Sequence, residues 1–429
     1  MIRSQLSLNQ GPDIAVPLRF FMTAPLFIII SGFIMLYYGP DIFQNRWQPE
    51  TLALTHSITL GFITMVIIGS LFQILPVLTA CEIPNANRVS LYIYLLITPG
   101  IVSLLLGFLS ANSLLFQLAL ALLASALSIF IFNIGSRLIL QSISSISSNG
   151  LKLSLMACSI AIVLALALLT AYALPQIPLM RQFTELHILW ASVGWILVTA
   201  IVIAHQVVPM FMVTGQYPVY LQKYVTLLII LTLFILTILR IYENQYSTNI
   251  NWLSSLVVLI ISLSIISFVI ISFKLLLYKH KRISDSRLWF WISSLLSLSL
   301  SLISYLVSPL IDGGLNILIA ILFYAGFSLS VISGMLLKIV PFLLWLHIRK
   351  HSVATKINQQ KAPLMSDIIT DRDGRNLFVV YFLAYLSTLI SLLLPEYLFY
   401  IAATLWIFFG TRLFLLILIS KRQYCSRII

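Results

Sequence analysis

The sequence predicts an all-α integral membrane protein with twelve transmembrane helices. Of its 429 residues, 60% are hydrophobic and only 9% are charged, which is far from the composition of a soluble domain. The apolar stretches are long enough to cross a hydrocarbon layer of about 30 Å, which takes about 20 helical residues. Each stretch is continuously apolar rather than alternating, so the pattern excludes membrane-spanning strands.

Twelve such stretches follow one another, and most of the connections between them are short. They lie near 18–38, 52–78, 90–109, 111–136, 153–174, 186–212, 220–240, 252–273, 288–308, 315–345, 376–394 and 397–419. The short connections leave no room for a soluble catalytic domain. We therefore expect one transmembrane domain, with whatever function the protein has located in the membrane.

A motif occurs three times, on the second, sixth and tenth helices. It consists of a glycine followed by an aromatic residue, with a proline fifteen positions after the glycine. The copies are Gly61-Phe62 with Pro76, Gly194-Trp195 with Pro209, and Gly326-Phe327 with Pro341. The prolines are 133 and 132 residues apart, which predicts a threefold internal repeat. We place the three blocks of four helices near 1–140, 141–275 and 276–429.

The net charge of +13 reflects membrane topology. Twenty of the 25 Lys and Arg residues fall on the termini and the even-numbered loops, three on odd-numbered loops, and two within helices. This asymmetry is the positive-inside pattern, which places both termini in the cytoplasm. We expect the membrane to be a bacterial inner membrane. The positive net charge is therefore explained without a nucleic-acid partner.

Two histidines occupy matching positions on the first two motif helices. His56 lies twenty residues before Pro76, and His187 lies twenty-two before Pro209. Ionisable residues are costly inside a membrane and often functional there, so both are candidate metal ligands. The alternative is that each makes a structural hydrogen bond between helices.

His205 follows His187 by eighteen residues, which in a regular α-helix is the same face, about 27 Å deeper. It is a candidate ligand or proton-relay residue, with Met210 and Met212 as nearby soft ligands. His347 ends the third motif helix beside Trp345 and is expected to be an interfacial anchor.

Other polar residues on the motif helices complete the candidate set. Lys338 occupies the position that holds Gln73 and Gln206 in the other two copies, three residues before the proline. Within a membrane helix, Lys338 must reach the interface, lose its proton or find a partner. Glu185 lies two residues before His187 and could orient it or take up protons.

No nucleotide-binding loop, dinucleotide fingerprint, HExxH or GxSxG segment occurs, so nucleotide chemistry and hydrolysis are poorly supported.

Twelve helices in three four-helix blocks, with a histidine near the outer end of helix two, resemble subunit I of the heme-copper oxidases. The likeness is strongest around His56, which is followed by Gly69, Phe72 and Pro76. This segment resembles the family helix whose histidine binds the low-spin heme. The chain also resembles the NnrS-type heme and copper membrane proteins.

The chain departs from the oxidase pattern at the binuclear centre. The seventh helix, 220–240, has no histidine, the tenth begins near Asn316 without the two heme-binding histidines, and the sixth lacks a His-Pro-Glu segment. The resemblance therefore implies a heme- or copper-binding protein in respiratory, nitric-oxide or metal physiology, in which oxygen or nitric-oxide reduction is not expected.

On this resemblance, we expect His56 and His187 to bind a b-type heme together, with copper possible at His205, Met210 and Met212. A respiratory redox partner or oxidase subunits would be its partners, besides the lipid bilayer. One alternative is a transporter or metal-trafficking permease, although the major facilitator fold repeats in three and six helices rather than four. Another is a non-catalytic partner of a respiratory complex, with structural histidines.

Overall fold

The computed structural model of the protein describes residues 11–79, 82–140, 145–174, 176–179, 182–246, 251–278, 285–311, 314–354 and 364–428. In these ranges the chain is helical and contains no strand. Twelve of the helices found there are long and apolar enough to cross a membrane. The predicted all-α integral membrane class and its twelve spanning helices are confirmed.

We number the spanning helices in chain order. They are α1 (Ala15–Tyr38), α2 (Pro49–Pro76), α3 (Ala86–Ser110), α4 (Ser113–Leu140), α5 (Ile146–Ala173), α6 (Gln182–Met212), α7 (Val219–Glu243), α8 (Trp252–Leu277), α9 (Ser286–Leu310), α10 (Asn316–Arg349), α11 (Asp371–Ser391) and α12 (Glu396–Ser426). The face where α1 begins is called the amino-terminal face, and α2, α6 and α10 begin at the opposite face. The predicted block boundaries fall at the end of α4 and two residues before the end of α8.

Nine of the spanning helices form a closed outer ring. Among the described residues, each helix in the order α1, α3, α4, α5, α7, α8, α9, α11 and α12 contacts the next, and α12 contacts α1. The ring thus takes the first, third and fourth helix of each predicted block. The second helix of each block is left for the centre.

The three motif helices α2, α6 and α10 occupy that centre. In the most apolar 18-residue stretch of each, 78%, 61% and 67% of the residues are buried. In each of the other nine helices the corresponding value is 56% or less. Polar groups on these helices are therefore shielded from lipid by the ring. This is where a membrane protein can keep histidines and a lysine.

Each central helix contains an eight-residue π-helical segment. These are Ser57–Thr64 in α2, Trp190–Leu197 in α6 and Ile321–Ser328 in α10, and each includes the glycine-aromatic pair of its motif. π-helical bonding is rare and frequently marks functional sites. Neighbouring side chains also bond to this backbone: the Tyr381 hydroxyl donates to the carbonyl oxygens of Ala325 and Gly326, at 3.1 and 3.0 Å.

The motif glycines let the central helices touch the first helix of their own block. The pairs are Gly61 with Phe27 of α1, Gly194 with Ala157 of α5, and Gly326 with Ser297 of α9. A Cβ atom on Gly61 would lie only 2.3 Å from Cγ of Phe27, closer than real atoms approach. Small residues at such positions allow close packing of membrane helices.

We expect Gly61→Ala to destabilise the protein by about 1–3 kcal/mol, because the new methyl group must push the Phe27 ring aside. The matched control is Gly135→Ala in α4, where a Cβ meets its nearest neighbour, Leu155, at an ordinary 3.4 Å. Since alanine favours helix over glycine, the control should be neutral or slightly stabilising. Thermal unfolding of the purified variants measures both, and equal melting temperatures would contradict the packing argument.

Candidate paired-histidine site

His56 ends the first α-helical part of α2, directly before the π segment. Its Nδ1 lies 2.7 Å from the carbonyl oxygen of Leu52, one turn earlier. The ring of His56 also packs against Phe108 of α3, with centroids 5.5 Å apart. Phe108 in turn contacts Phe116 and Tyr172, so an aromatic cluster surrounds this side of the imidazole.

His187 lies in the first turns of α6, three residues before its π segment. Its Nδ1 is 3.1 Å from the carbonyl oxygen of Ala161 on α5. Each of the two histidines that sequence position had matched therefore lies on a central helix with its Nδ1 against a backbone carbonyl oxygen.

Both imidazoles have the same tautomer. A carbonyl oxygen can only accept a hydrogen bond, so Nδ1 must carry the proton in each ring. In the neutral ring, the Nε2 lone pair of each histidine is then free to bind. Histidine ligands of metals are typically oriented in this way, by donating their other nitrogen to a carbonyl.

Glu185 does not orient His187. It forms an ion pair with Arg46, which precedes α2, and the pair connects the beginnings of α2 and α6 at the opposite face. Its carboxylate is half exposed, and Arg46 also lies over the ring of Trp47 at 4.8 Å. The orienting role falls to the Ala161 carbonyl on α5.

His205 lies apart from the paired histidines. It is 3% exposed, its ring packs edge-on against Tyr217 at 4.8 Å and against Phe268 of α8 at 6.3 Å, and its Nε2 has no partner in the described part of the chain. Tyr217 is itself held by Ser272, with hydroxyl oxygens 3.0 Å apart. His205 is therefore enclosed by aromatic rings between α6, α7 and α8.

The expectation that His187 and His205 share a face of α6 is wrong. The π segment between them adds residues to each turn, so a spacing of eighteen no longer completes five turns. The two candidate sulfur ligands also separate: Met212 is buried, as His205 is, whereas Met210 is 44% exposed. Met210 and Met212 therefore do not present their side chains to one common site with His205.

The position three residues before the motif proline contacts the beginning of its block in all three copies. Gln73 lies against Gly11 before α1, Gln206 donates to Ser147 in the first turn of α5 at 2.6 Å, and Lys338 pairs with Asp285 before α9 at 2.6 Å. The residue differs, but the contact is equivalent. These side chains fasten each central helix to the outer ring at the amino-terminal face.

Lys338 thus finds a partner, one of the three outcomes that the sequence left open. Asp285 also accepts from the backbone N–H of Arg287 and lies 3.4 Å from its guanidinium. Arg287 is 7% exposed, contacts Asp371 at 3.5 Å and donates to the carbonyl oxygen of Ile369 at 3.0 Å. The network joins α9, α10 and the beginning of α11.

The remaining predicted residue, His347, is half-buried near the end of α10. In the same stretch the Arg349 guanidinium lies 5.0 Å from the centre of the Trp345 ring.

Sequence reasoning missed Arg46, Asp285 and Arg287. The available signals were the position of Asp285 as the cap residue before α9, whose side chain accepts from the Arg287 backbone, and the isolation of Arg46 on its loop.

A cavity of about 70 Å³ lies between the three central helices. It does not border His56 or His187, so a heme held by these histidines would not lie in it. A porphyrin does not fit there. Among the described residues, no three of the His, Cys, Asp and Glu side chains form a group that could hold a metal ion. An imidazole nitrogen is a suitable ligand for heme iron, so His56 and His187 fit a heme in their donor chemistry.

Comparison of the chain with protein-family models and with curated proteins gives no match.

We expect Lys338→Gln to destabilise the protein by about 1–3 kcal/mol, because Asp285 loses its closest cation in a partly buried setting. The double variant Asp285→Ser with Lys338→Gln rebuilds the Gln206–Ser147 pair of the second block and should recover part of that loss. Arg375→Gln is the control, since its pair with Asp371 is long and exposed. Thermal unfolding measures the loss of stability in each variant. A loss in the double variant larger than the losses of the two single variants added together would contradict the equivalence of the Lys338–Asp285 and Gln206–Ser147 contacts.

The same ion pair predicts a response to acid. Burial alone would raise the pKa of Asp285, but the ammonium of Lys338 and the guanidinium of Arg287 outweigh it, so the pKa lies below its usual value. The stabilisation is therefore complete above the ordinary carboxyl pKa of about 3.9 and is lost as pH falls through the lowered pKa. The measurement is the melting temperature between about pH 2 and 7. On acidification it should begin to fall at a lower pH in the wild type than in Lys338→Gln, and the same pH dependence in both proteins would contradict this assignment.

Proposed function

We propose that this protein binds a heme, or failing that copper, through His56 and His187, on a twelve-helix architecture like that of heme-copper oxidase subunit I. The observation that carries the proposal is that each imidazole directs its Nδ1 atom to a backbone carbonyl oxygen. The two residues lie near the same end of the central helices α2 and α6, just before their π segments. The Nε2 lone pair of each is thereby left to bind a metal.

Heme b is the group that suits these donors best. His56 and His187 would hold the heme iron through their Nε2 atoms, and the rings of Phe108 and Tyr172 would supply apolar surface beside His56. Bound heme would supply one-electron redox chemistry. Leu52 and Ala161 would hold the imidazole orientation through their carbonyl oxygens, and the outer ring would exclude lipid.

The proposal is for a redox or heme-handling role rather than reduction of oxygen or nitric oxide. His205, the remaining histidine in the core of α6, is enclosed by Tyr217 and Phe268 on another side of the helix. It offers one nitrogen there, with no second histidine described beside it. A respiratory redox partner in a bacterial inner membrane, with both chain termini in the cytoplasm, completes the proposal.

A transporter or metal-trafficking permease is the second candidate. The observation that favours it is the interruption of all three central helices by π segments, because transporters bind substrates at irregular helices near the middle of the membrane. A permease of this kind would need no resident heme.

The deciding experiment is a reduced-minus-oxidised optical spectrum of the detergent-purified protein, with iron and copper counted per chain. We expect low-spin b-heme bands and about one iron per chain, as two axial imidazoles imply. His56→Ala and His187→Ala should each lose most of the heme. The matched control, His347→Ala, removes a histidine at the other end of a central helix and should retain it.

Full heme content in His56→Ala would refute this ligand assignment. Copper without heme, lost in the same two variants, would replace heme by copper at the paired histidines. Neither metal in folded protein from heme-replete cells would reject metal binding and favour the transporter.

A further inference from the structure

The cavity between the central helices has a consistent place in all three repeats. Its wall runs along each helix from the end of the π segment to the turn before the motif proline: 66–74 of α2, 196–207 of α6 and 327–339 of α10, together with Trp291 of α9. It therefore lies on the axis around which the blocks are arranged, in the middle of the bundle. The cavity is a product of the shared motif rather than of one irregular contact.

The wall is apolar. Aliphatic side chains and Met335 make up most of it, and no charged residue lines it. The indole N–H of Trp291 is directed to the sulfur of Met335, at 3.4 Å, so that it does not remain a free donor.

Most of the hydroxyl groups on the wall are already used. Thr199 pairs with Ser154 of α5, and Ser328 donates to the carbonyl oxygen of Phe323 in its own helix, at 2.9 Å. Ser70 is the remaining hydroxyl side chain of the wall. A buried water needs two to four polar partners, whereas apolar cavities stay dry and take up apolar guests.

Size restricts the guest further. A volume of about 70 Å³ is less than half that of the roughly 150 Å³ apolar cavity known to admit benzene or xenon. Porphyrins, sugars and nucleotides are too large, and ions would find no charge or coordinating group. What remains is a small uncharged apolar molecule that reaches the site from the surrounding hydrocarbon.

We infer that the space between α2, α6 and α10 is a binding site for small uncharged apolar molecules, of the size of a xenon atom. The guest contacts all three central helices at once, so its binding stabilises their mutual packing. The site is separate from the paired histidines, and its occupancy does not depend on a bound metal.

The test is a crystal structure of the protein pressurised with xenon. We expect an anomalous peak between Val66, Ala200 and Val331. Ala200→Leu adds three carbon atoms to the cavity wall and should abolish the peak. The matched control is Ala167→Leu on the exposed side of α5, which makes the same change outside the cavity and should leave the peak unchanged.

A second measurement shows that the filled variant is folded and tests the site in solution. The melting temperature of the wild type should rise under xenon relative to helium by mass action, that of Ala167→Leu should rise equally, and that of Ala200→Leu should rise less. His56→Ala should respond as the wild type does, which separates this site from the proposed metal site.

Three crystallographic outcomes would overturn the inference. They are a cavity without xenon while lipid-facing sites are occupied, ordered waters filling the cavity, and a xenon peak that persists in Ala200→Leu. A detergent or lipid chain threaded between the helices would also overturn it, since the guest would then be a long chain rather than a small molecule.

Discussion

The close approach of each central helix to the first helix of its own block is the constraint on which the rest of the structure depends. Gly61 leaves no space for even a methyl group against Phe27, and Gly194 and Gly326 make the equivalent contacts in the other blocks. In lipid, backbone groups must be bonded within the protein. The π segments occur at these contacts, where neighbours such as Tyr381 supply additional hydrogen bonds to the carbonyls. The nine-helix ring then closes around three helices that lipid does not reach.

The three predicted blocks make comparable contacts with different residues. Three residues before the motif proline, two blocks have an uncharged glutamine and the third has Lys338. The charge is tolerated because Asp285 meets it at the interface end of α9, where the same carboxylate also caps the helix and contacts Arg287. A buried ion pair is weak evidence for added stability. The pair joins the later part of α10 to the beginning of α9 at the amino-terminal face.

At the opposite face the blocks diverge in another way. The first two place His56 and His187 just before their π segments, whereas the third has no histidine there. Its π segment instead carries Tyr324, whose hydroxyl oxygen lies 2.6 Å from that of Ser192 in the π segment of α6. Irregular backbone of the same kind thus follows a histidine in α2 and α6 and carries a hydroxyl contact between α6 and α10. π-helical bonding is frequent at functional sites.

The sequence by itself determined the membrane class, the twelve helices and the register of the motif, because apolar length and the spacing of glycine and proline are local properties of the chain. It also matched His56 with His187 through their similar distances from the motif prolines, twenty and twenty-two residues. Only the tertiary structure decided the rest. The π segments changed the faces of α6, so that His205 turned away from His187, and no residue pattern announces bonding from i to i+5. The partners of Lys338, Glu185 and His187 are Asp285, Arg46 and the Ala161 carbonyl, each on a different helix or loop. Such contacts depend on which helices the closed ring makes neighbours, and that is a property of the packed bundle rather than of any single stretch.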